Sequence, residues 1–447
     1  LDWCGLGKSK FDELLAAVNK KYDGKYITIG SDEEAFAVGR IPTEVLAIDS
    51  ITYGGLPEGR IIIFWGDWSS GKTFTALKAV KRAQNTCRKC RMLMADLGMQ
   101  PTFVGDSGKI IVSGKEAKEF IERLDRLDAL VAKKNDEKGK GLTDTEDGEF
   151  RGLRIWQGKN LPKEAKYRIE KTRTKRCPKC GGNEGLAVAW AAIEEFDPSF
   201  ADMVGVDRSD VLVIRSETAE QVIDISAEVL RTGQCDLMVF DSIAMMTPQK
   251  EIEESAEKWQ QGLAARLVNK ALRRWASGQT AVDLDETGPR PTIILINQVR
   301  EKIGVFYGCP DVLPCGKGQG FANSLTLKFH GGKYTKLEDT GETLNRLLKV
   351  KVEKSKVCPP NEEGEFVIWL HPHEGNDPGS TSEPQVLLEV GLREGAIGRE
   401  KGEYDAGGKP FKTQKELLAA MTTDNLLADA VRGEIIRKMN ERRMRHA

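Results

Sequence analysis

IIIFWGDWSSGKTFTALKAV, residues 61–80, decides the fold. The apolar run 61–65 has the composition of a buried strand. It breaks at Gly66 into a short loop ending Gly71-Lys72-Thr73, and a helix-forming run follows. This is the G-x-x-x-x-G-K-[ST] pattern in the strand–loop–helix setting it requires. Its glycines let the backbone N–H groups of Gly66, Asp67, Trp68, Ser69, Ser70 and Gly71 turn onto phosphate oxygens. The positive end of the following helix dipole adds to that attraction. Lys72 is expected at the β- and γ-phosphates and Thr73 at Mg²⁺. A chance match with no ligand is the alternative, and the flanking strand and helix argue against it. The loop implies a nucleoside triphosphate.

Outward from this loop, apolar and amphipathic runs alternate. Strands are predicted at 185–193 (GLAVAWAAI), 211–215 (VLVIR), 235–242 (CDLMVFDS) and 292–298 (TIILINQ), with a helix at 217–233. That rhythm predicts an α/β fold with a mainly parallel sheet flanked by helices. Ligands in such sheets gather at the carboxyl ends of strands. Glu194, Asp241 and Gln298 all lie at such ends. An acid ending an apolar strand in a chain with a phosphate loop is expected to anchor Mg²⁺ through water, so Asp241 joins Thr73. Residues 10–22 read as an N-terminal helix and 53–57 as a turn before the first core strand.

The 447 residues are 40% hydrophobic and 30% charged, enough for one large core with additions or for two to three domains. No apolar stretch approaches the ~20 residues of a membrane span, so no membrane partner is expected. No signal peptide is visible, though the chain begins at Leu1. The net charge of −1 neither favours nor excludes nucleic acid, so any basic surface must be local.

Five of the nine cysteines are scattered singly, as suits reduced cytosolic thiols. The other four form two C-x-x-C turns, Cys87-Arg-Lys-Cys90 and Cys177-Pro-Lys-Cys180. Each turn places two thiolates together, and two turns complete a tetrahedral Zn²⁺ shell. The turns are much further apart than a compact ribbon needs. Two unrelated thiol pairs or a redox pair are the other readings; the CPKCGG turn favours structural zinc. Between them, 115–134 reads as an amphipathic helix with Phe120, Leu124, Leu127 and Val131 on one face. Residues 135–149 read as a charged, Gly-rich loop. Residues 151–180 hold eleven Lys/Arg against two Glu, with Trp156 and Tyr167 among them. Such interleaving can grip a phosphate backbone and stack on bases; a solvated basic face around the knuckle fits equally well.

With these segments placed, the chain resembles the RecA family of homologous-recombination ATPases over nearly its whole length outside the insert. The likeness is carried by TYGGLPEGRIIIFWGDWSSGKT (52–73), EEFDPSFADMVGVD (194–207), CDLMVFDSIAMMTPQKEIE (235–253), QQGLAARLVNKALRRWA (260–276), LINQVREKIGVFYG (295–308) and VKVEKSKV (350–357). The resemblance implies a RecA-type P-loop ATPase core and a helical homo-oligomeric filament on single-stranded DNA, with ATP sandwiched between neighbours. The implied activity is DNA-dependent ATP hydrolysis driving homologous pairing with duplex DNA and strand exchange in recombination and repair.

The resemblance also implies roles for residues. Glu194 would orient and deprotonate the attacking water; because 190–198 is one residue shorter than the family pattern, Glu195 is the alternative. Gln298 would sense the γ-phosphate and pass that state to the adjoining DNA loop. Lys354 and Lys356 would reach the neighbour's nucleotide and stabilise transition-state charge as an arginine finger does, with ordinary surface charge as the other reading. Segment 299–324 is similar to the family's second DNA-binding loop. Ile303 and Tyr307 would insert or stack against base triplets, while Arg266, Arg273 and Arg300 would hold the backbone. A merely long loop is the other reading, although loops of this length in compact domains are usually functional.

The expected organisation has four parts. Residues 1–40 form an N-terminal linking helix and protomer-linking segment. Residues 41–86 and 181–384 form the ATPase core, and 87–180 a zinc-knuckle insertion. Residues 385–447 form a small C-terminal α/β domain. Its end, 432–447, carries six Lys/Arg and two Glu in place of the family's acidic tail, which implies weaker self-restraint towards duplex DNA. The insertion is expected to contact DNA or to dock replication or repair proteins. The setting implied is a bacterial cytoplasm or a phage-infected host, the unusual insert leaning towards phage. Two other functions stay open: a ring-forming RecA-fold motor remodelling branched DNA, and an ATP-binding DNA-coating scaffold with little turnover.

Overall fold

The computed structural model describes residues 17–18, 20–21, 38–105, 110–113, 122–123, 126–127, 129–131, 133–134, 143–160, 167–253, 262–280, 290–301, 311–314 and 318–446, apart from 338–339, 374–375, 382 and 401. The backbone divides into two compact units, 85–186 and the remainder, 1–84 with 187–447. Most of the expected N-terminal helix lies outside the described residues; 17–18 and 20–21 are helical.

The larger unit is built on an eight-stranded sheet. Its strands are β1 (Ile61–Gly66), β2 (Val188–Ala192), β3 (Val211–Ile214), β4 (Leu237–Asp241), β5 (Thr292–Gln298), β6 (Leu325–Lys336), β7 (Thr343–Ser355) and β8 (Glu363–Trp369). Their order is β8-β7-β6-β1-β5-β4-β2-β3. From β6 to β3 every neighbouring pair is parallel, while β6–β7 and β7–β8 are antiparallel. β1 and β4 are buried along their whole length and β5 at all but its last residue. That is why they read as continuous apolar runs without alternation.

Helix α1 (Lys72–Gln84) follows the loop after β1. Helix α2 (Ala219–Arg231) begins at Thr218, whose hydroxyl accepts from Gln221 N at 3.3 Å. Helix α3 (Leu263–Thr280) buries Leu267, Val268, Ala271, Leu272 and Trp275, an i, i+4 stripe that faces the sheet core. The Trp275 ring lies 4.1 Å from that of Phe240 on β4, and its Nε1 donates to Ser226 Oγ of α2 at 2.8 Å. The indole thus fills the core without an unpaired N–H.

The chain's end folds as helices α5 (Glu383–Glu394), α6 (Gln414–Thr423) and α7 (Asn425–His446) with a three-stranded antiparallel sheet. Three of the six Lys and Arg residues of α7 are held in ion pairs. Arg432 pairs with Asp429, and Arg437 with Glu434 and Glu441. Arg442 reaches Glu394 at 3.0 Å and stacks 4.4 Å over Tyr53. In this part of the fold the basic composition builds docking contacts as well as surface charge.

In the smaller unit, a strand at Ala95–Gly105 pairs antiparallel with Ile110–Ser113 and Tyr167–Arg176. The expected loop at 135–149 ends early, because Asp144–Asn160 is a helix. Its start is a capping box. Thr143 Oγ1 accepts from Glu146 N at 3.4 Å, and Glu146 Oε2 accepts from Thr143 N at 3.0 Å. The ends of the unit are laced together: Leu186 N donates to Thr86 O at 3.1 Å and Arg88 N to Glu184 O at 3.0 Å.

Candidate nucleotide site

The loop between β1 and α1 takes its shape from two glycines. Gly66 has φ 146°, and a Cβ there would lie 2.0 Å from the Phe329 carbonyl oxygen. Gly71 has φ 89°, and a Cβ would meet Leu348 at 2.4 Å. No other residue type fits either place without strain. Lys72 is buried, and its ammonium donates to the carbonyls of Gly66, at 3.0 Å, and Asp67. Burial lowers its pKa, against the pull of Asp241, Asp67 and Glu194. Ser70 Oγ donates to Asp67 O at 2.7 Å. Trp68 and Ser69 stand exposed at the tip, and Arg346 of β7 donates to the Ser69 carbonyl.

The strand ends bring the acids in. Ile193 N and Glu194 N donate to the carbonyl of Asp241 at 3.0 and 2.8 Å, locking the end of β2 to the end of β4. Thr73 Oγ1 donates to Asp241 Oδ2 at 2.9 Å. Burial, with a smaller push from Glu194, raises the Asp241 pKa to about 6. A carboxylate so disfavoured as an anion gains from a cation beside it. The Thr73–Asp241 pair therefore fits Mg²⁺. Gln298 Nε2 donates to Glu194 Oε1 at 2.8 Å, and the Ser242 hydroxyl donates to the same oxygen. Glu195 is exposed. A cavity of about 460 Å³ opens beside these groups, lined by Ile193, Glu194, Glu195, Phe196, Arg215 and Glu217 among others.

Lys354 is half-buried and turned onto its own chain. Its Nζ donates to the carbonyl of Gly320 and to the carbonyl and Oδ1 of Asn323, the last two at 3.0 and 2.8 Å. Burial, then the neighbouring Lys356, lowers its pKa. Lys356 is exposed. Arg266 and Arg273 are exposed two turns apart on α3, and Arg300 is exposed just past β5. Ile303 and Tyr307 lie outside the described residues.

In the smaller unit, Cys87, Cys90, Cys177 and Cys180 bring their sulfurs within 4.8 Å of one another. A zinc–sulfur bond of about 2.3 Å puts tetrahedral sulfurs about 3.8 Å apart, and the Cys87 and Cys180 sulfurs are 3.7 Å apart. All four thiols are free. The Cys180 backbone N–H holds the Cys177 thiol down at about 7, while the Cys180 side chain pushes Cys90 up to about 12. The donor set fits zinc.

Sequence reasoning did not find Ser242 or Arg346. Ser242 could have been noticed as the residue following the strand-end acid. Arg346 reaches the Ser69 carbonyl from a strand 277 residues away.

The description "RecA N-terminal domain" belongs to the family model that matches residues 9–131 and 175–373. The gap in that match falls inside the smaller unit. "Protein RecA" of Nocardia farcinica (strain IFM 10152) is 33% identical over 97% of this chain and 92% of its own length. That of Amycolatopsis mediterranei (strain U-32) is 27% identical over 94% and 88%. That of Rhodococcus opacus (strain B4) is 33% identical over 58% and 69%. A family match over most of the chain, on a sheet whose strand ends gather a phosphate loop with two acids and a glutamine, means that this chain belongs to the RecA family.

Proposed function

We propose that the protein is a DNA-dependent ATPase that assembles on single-stranded DNA, pairs it with homologous duplex and exchanges strands. The observation that carries this is the convergence of Lys72, Thr73, Asp241, Glu194 and Gln298 in a chain of this family. Lys72, now donating to loop carbonyls, would turn to the β- and γ-phosphates, which the loop N–H groups would cradle. Thr73 and Asp241 would hold Mg²⁺, which neutralises phosphate charge during transfer. Glu194, steadied by Gln298 and Ser242, would orient the attacking water and accept its proton. Lys354 and Lys356 would act on a neighbour's nucleotide, which requires Lys354 to leave Gly320 and Asn323. Arg266, Arg273 and Arg300 would hold the DNA backbone, with Ile303 and Tyr307 against the bases.

Cys87, Cys90, Cys177 and Cys180 would hold a structural zinc. Its basic surroundings favour DNA, or a replication or repair protein, as the contact of this unit. Among the described residues no helix is long and apolar enough to cross a membrane, and we place the protein in the cytoplasm. ATP hydrolysis measured with and without single-stranded DNA tests the reading: strong stimulation is expected, and its absence would overturn the recombinase. Lys72→Ala should abolish both basal and stimulated hydrolysis.

A further inference from the structure

A buried chain of carboxamides runs from the nucleotide site to the helix that holds Lys354, and the hydrolytic chemistry does not use it. Asn297, the residue before Gln298 on β5, is fully enclosed, and its Nδ2 donates to Gln319 Oε1 at 3.1 Å. Gln319 is also fully enclosed and donates from Nε2 to the Pro314 carbonyl at 2.6 Å. Gln319 lies on α4 (Gly318–Ala322), the short helix that offers the Gly320 carbonyl to Lys354. The next anchor of Lys354, Asn323, is itself fixed by its N–H to the Gln319 carbonyl at 3.1 Å. On the other side Gly318 lies against α3, where a Cβ would come 1.8 Å from Asn269 Oδ1. That helix carries Arg266 and Arg273.

Enclosed carboxamides are directional, since the acceptor of one fixes the donor of the other. Gln298 N donates to Asn297 Oδ1 at 3.0 Å, so a change of backbone at Gln298 is felt by Asn297 and then by Gln319. Leaving either enclosed amide unpaired is costly, because nothing in the interior replaces the lost partner, and this makes α4 follow β5.

We propose that Gln319 is a positioning residue that ties the carboxyl end of β5 to α4, so that the state of Gln298 decides whether Lys354 and the arginine face of α3 are held in place. The proposal rests on the assignment of Gln298 and Lys354 to the nucleotide site. Its signature is the ratio of two affinities, for single-stranded DNA with a non-hydrolysed ATP analogue and with ADP.

The experiment is anisotropy of a labelled oligonucleotide on the full chain and on Gln319→Met, which keeps the volume and removes both side-chain hydrogen bonds. The wild type should bind DNA more tightly with the analogue, and Gln319→Met should lose about tenfold of that advantage, in the range of ordinary coupling between sites. Nucleotide affinity of the free protein should stay unchanged. A side chain that only fills space would lower both DNA affinities together and leave the ratio intact, which would overturn the proposal. Should Gln319→Met not fold, hydrogen exchange on the wild type without DNA decides: the analogue should protect 318–324 more than ADP does, and equal exchange would overturn it. A wild type with no nucleotide-dependent DNA binding sinks the functional reading as well. A responsive wild type with an equally responsive variant sinks the coupling alone.

Discussion

Glu194 and Glu195 are neighbours in sequence with opposite surroundings. Two backbone hydrogen bonds to the Asp241 carbonyl set the chain direction at Ile193 and Glu194. The Glu194 side chain then meets Gln298 and Ser242, while Glu195 faces solvent. A shortened segment left both acids open as readings of the sequence, because a one-residue change in a loop can swap which side chain points inward. Glu194→Gln should lower DNA-stimulated kcat by about 10²–10⁴, the usual worth of a positioned base. Glu195→Gln should leave it near wild type. Steady-state hydrolysis of both variants at saturating DNA checks the pair, and the opposite ranking would transfer the role to Glu195. The strand-end acids and Gln298 were legible because apolar runs announce strands and polar residues end them. Ser242 and Gln319 were not, since their partners are 48 and 22 residues away.

At the scale of elements, five of the six parallel strands follow from largely apolar runs and the helices between them, whereas β6, LTLKFHGGKYTK, mixes polar and apolar residues and carried no such signal. The helix Asp144–Asn160 escaped because its charges and two of its three glycines, Gly148 and Gly152, mimic a loop. Both glycines face open space, where glycine costs a helix only about 1 kcal/mol. The T-x-x-E at 143–146 was the signal that could have revealed it. The short helix Leu46–Ile51 shows another determinant that pattern cannot see. Asp49 Oδ1 accepts from both the backbone N and the hydroxyl of Thr43, each at 2.8 Å, and fixes the turn leading in. Burial nevertheless raises its pKa to about 6. The folded form therefore binds this proton more tightly than the unfolded chain, where the group titrates near 3.8. Its contribution to stability is complete below that lower value and is lost as pH rises through 6. Asp49→Asn keeps an acceptor for Thr43 and removes the titration. Denaturant unfolding between pH 4 and pH 6 should show a smaller loss of stability on raising pH in the variant than in the wild type, and parallel curves would refute this.

For the whole molecule, the division into two units makes the metal's contribution separable. A structural zinc bound to four thiolates contributes folding energy directly to the unit that holds it. One equivalent of zinc is expected in purified protein. Its removal by a chelator should expose 85–186 to protease while nucleotide binding at Lys72 persists. Loss of nucleotide binding along with the metal would show that the two units do not fold independently. Metal analysis, limited proteolysis and nucleotide titration on the same sample measure all three quantities.

The backbone pairing at the two ends of the smaller unit has a consequence for how such a chain tolerates change. Thr86 with Leu186, and Arg88 with Glu184, meet as the two legs of one ribbon, so what leaves Gln84 returns to Ala187 through a closed gate. Loop-closure entropy grows only slowly with the length enclosed. Segments beyond the gate can therefore lengthen, shorten or be exchanged with little effect on the register of the strands on either side. We expect the segment to behave as a cassette: a short turn joining 84 to 187 should remove it and leave nucleotide binding at Lys72 intact, as nucleotide titration of the shortened chain would check.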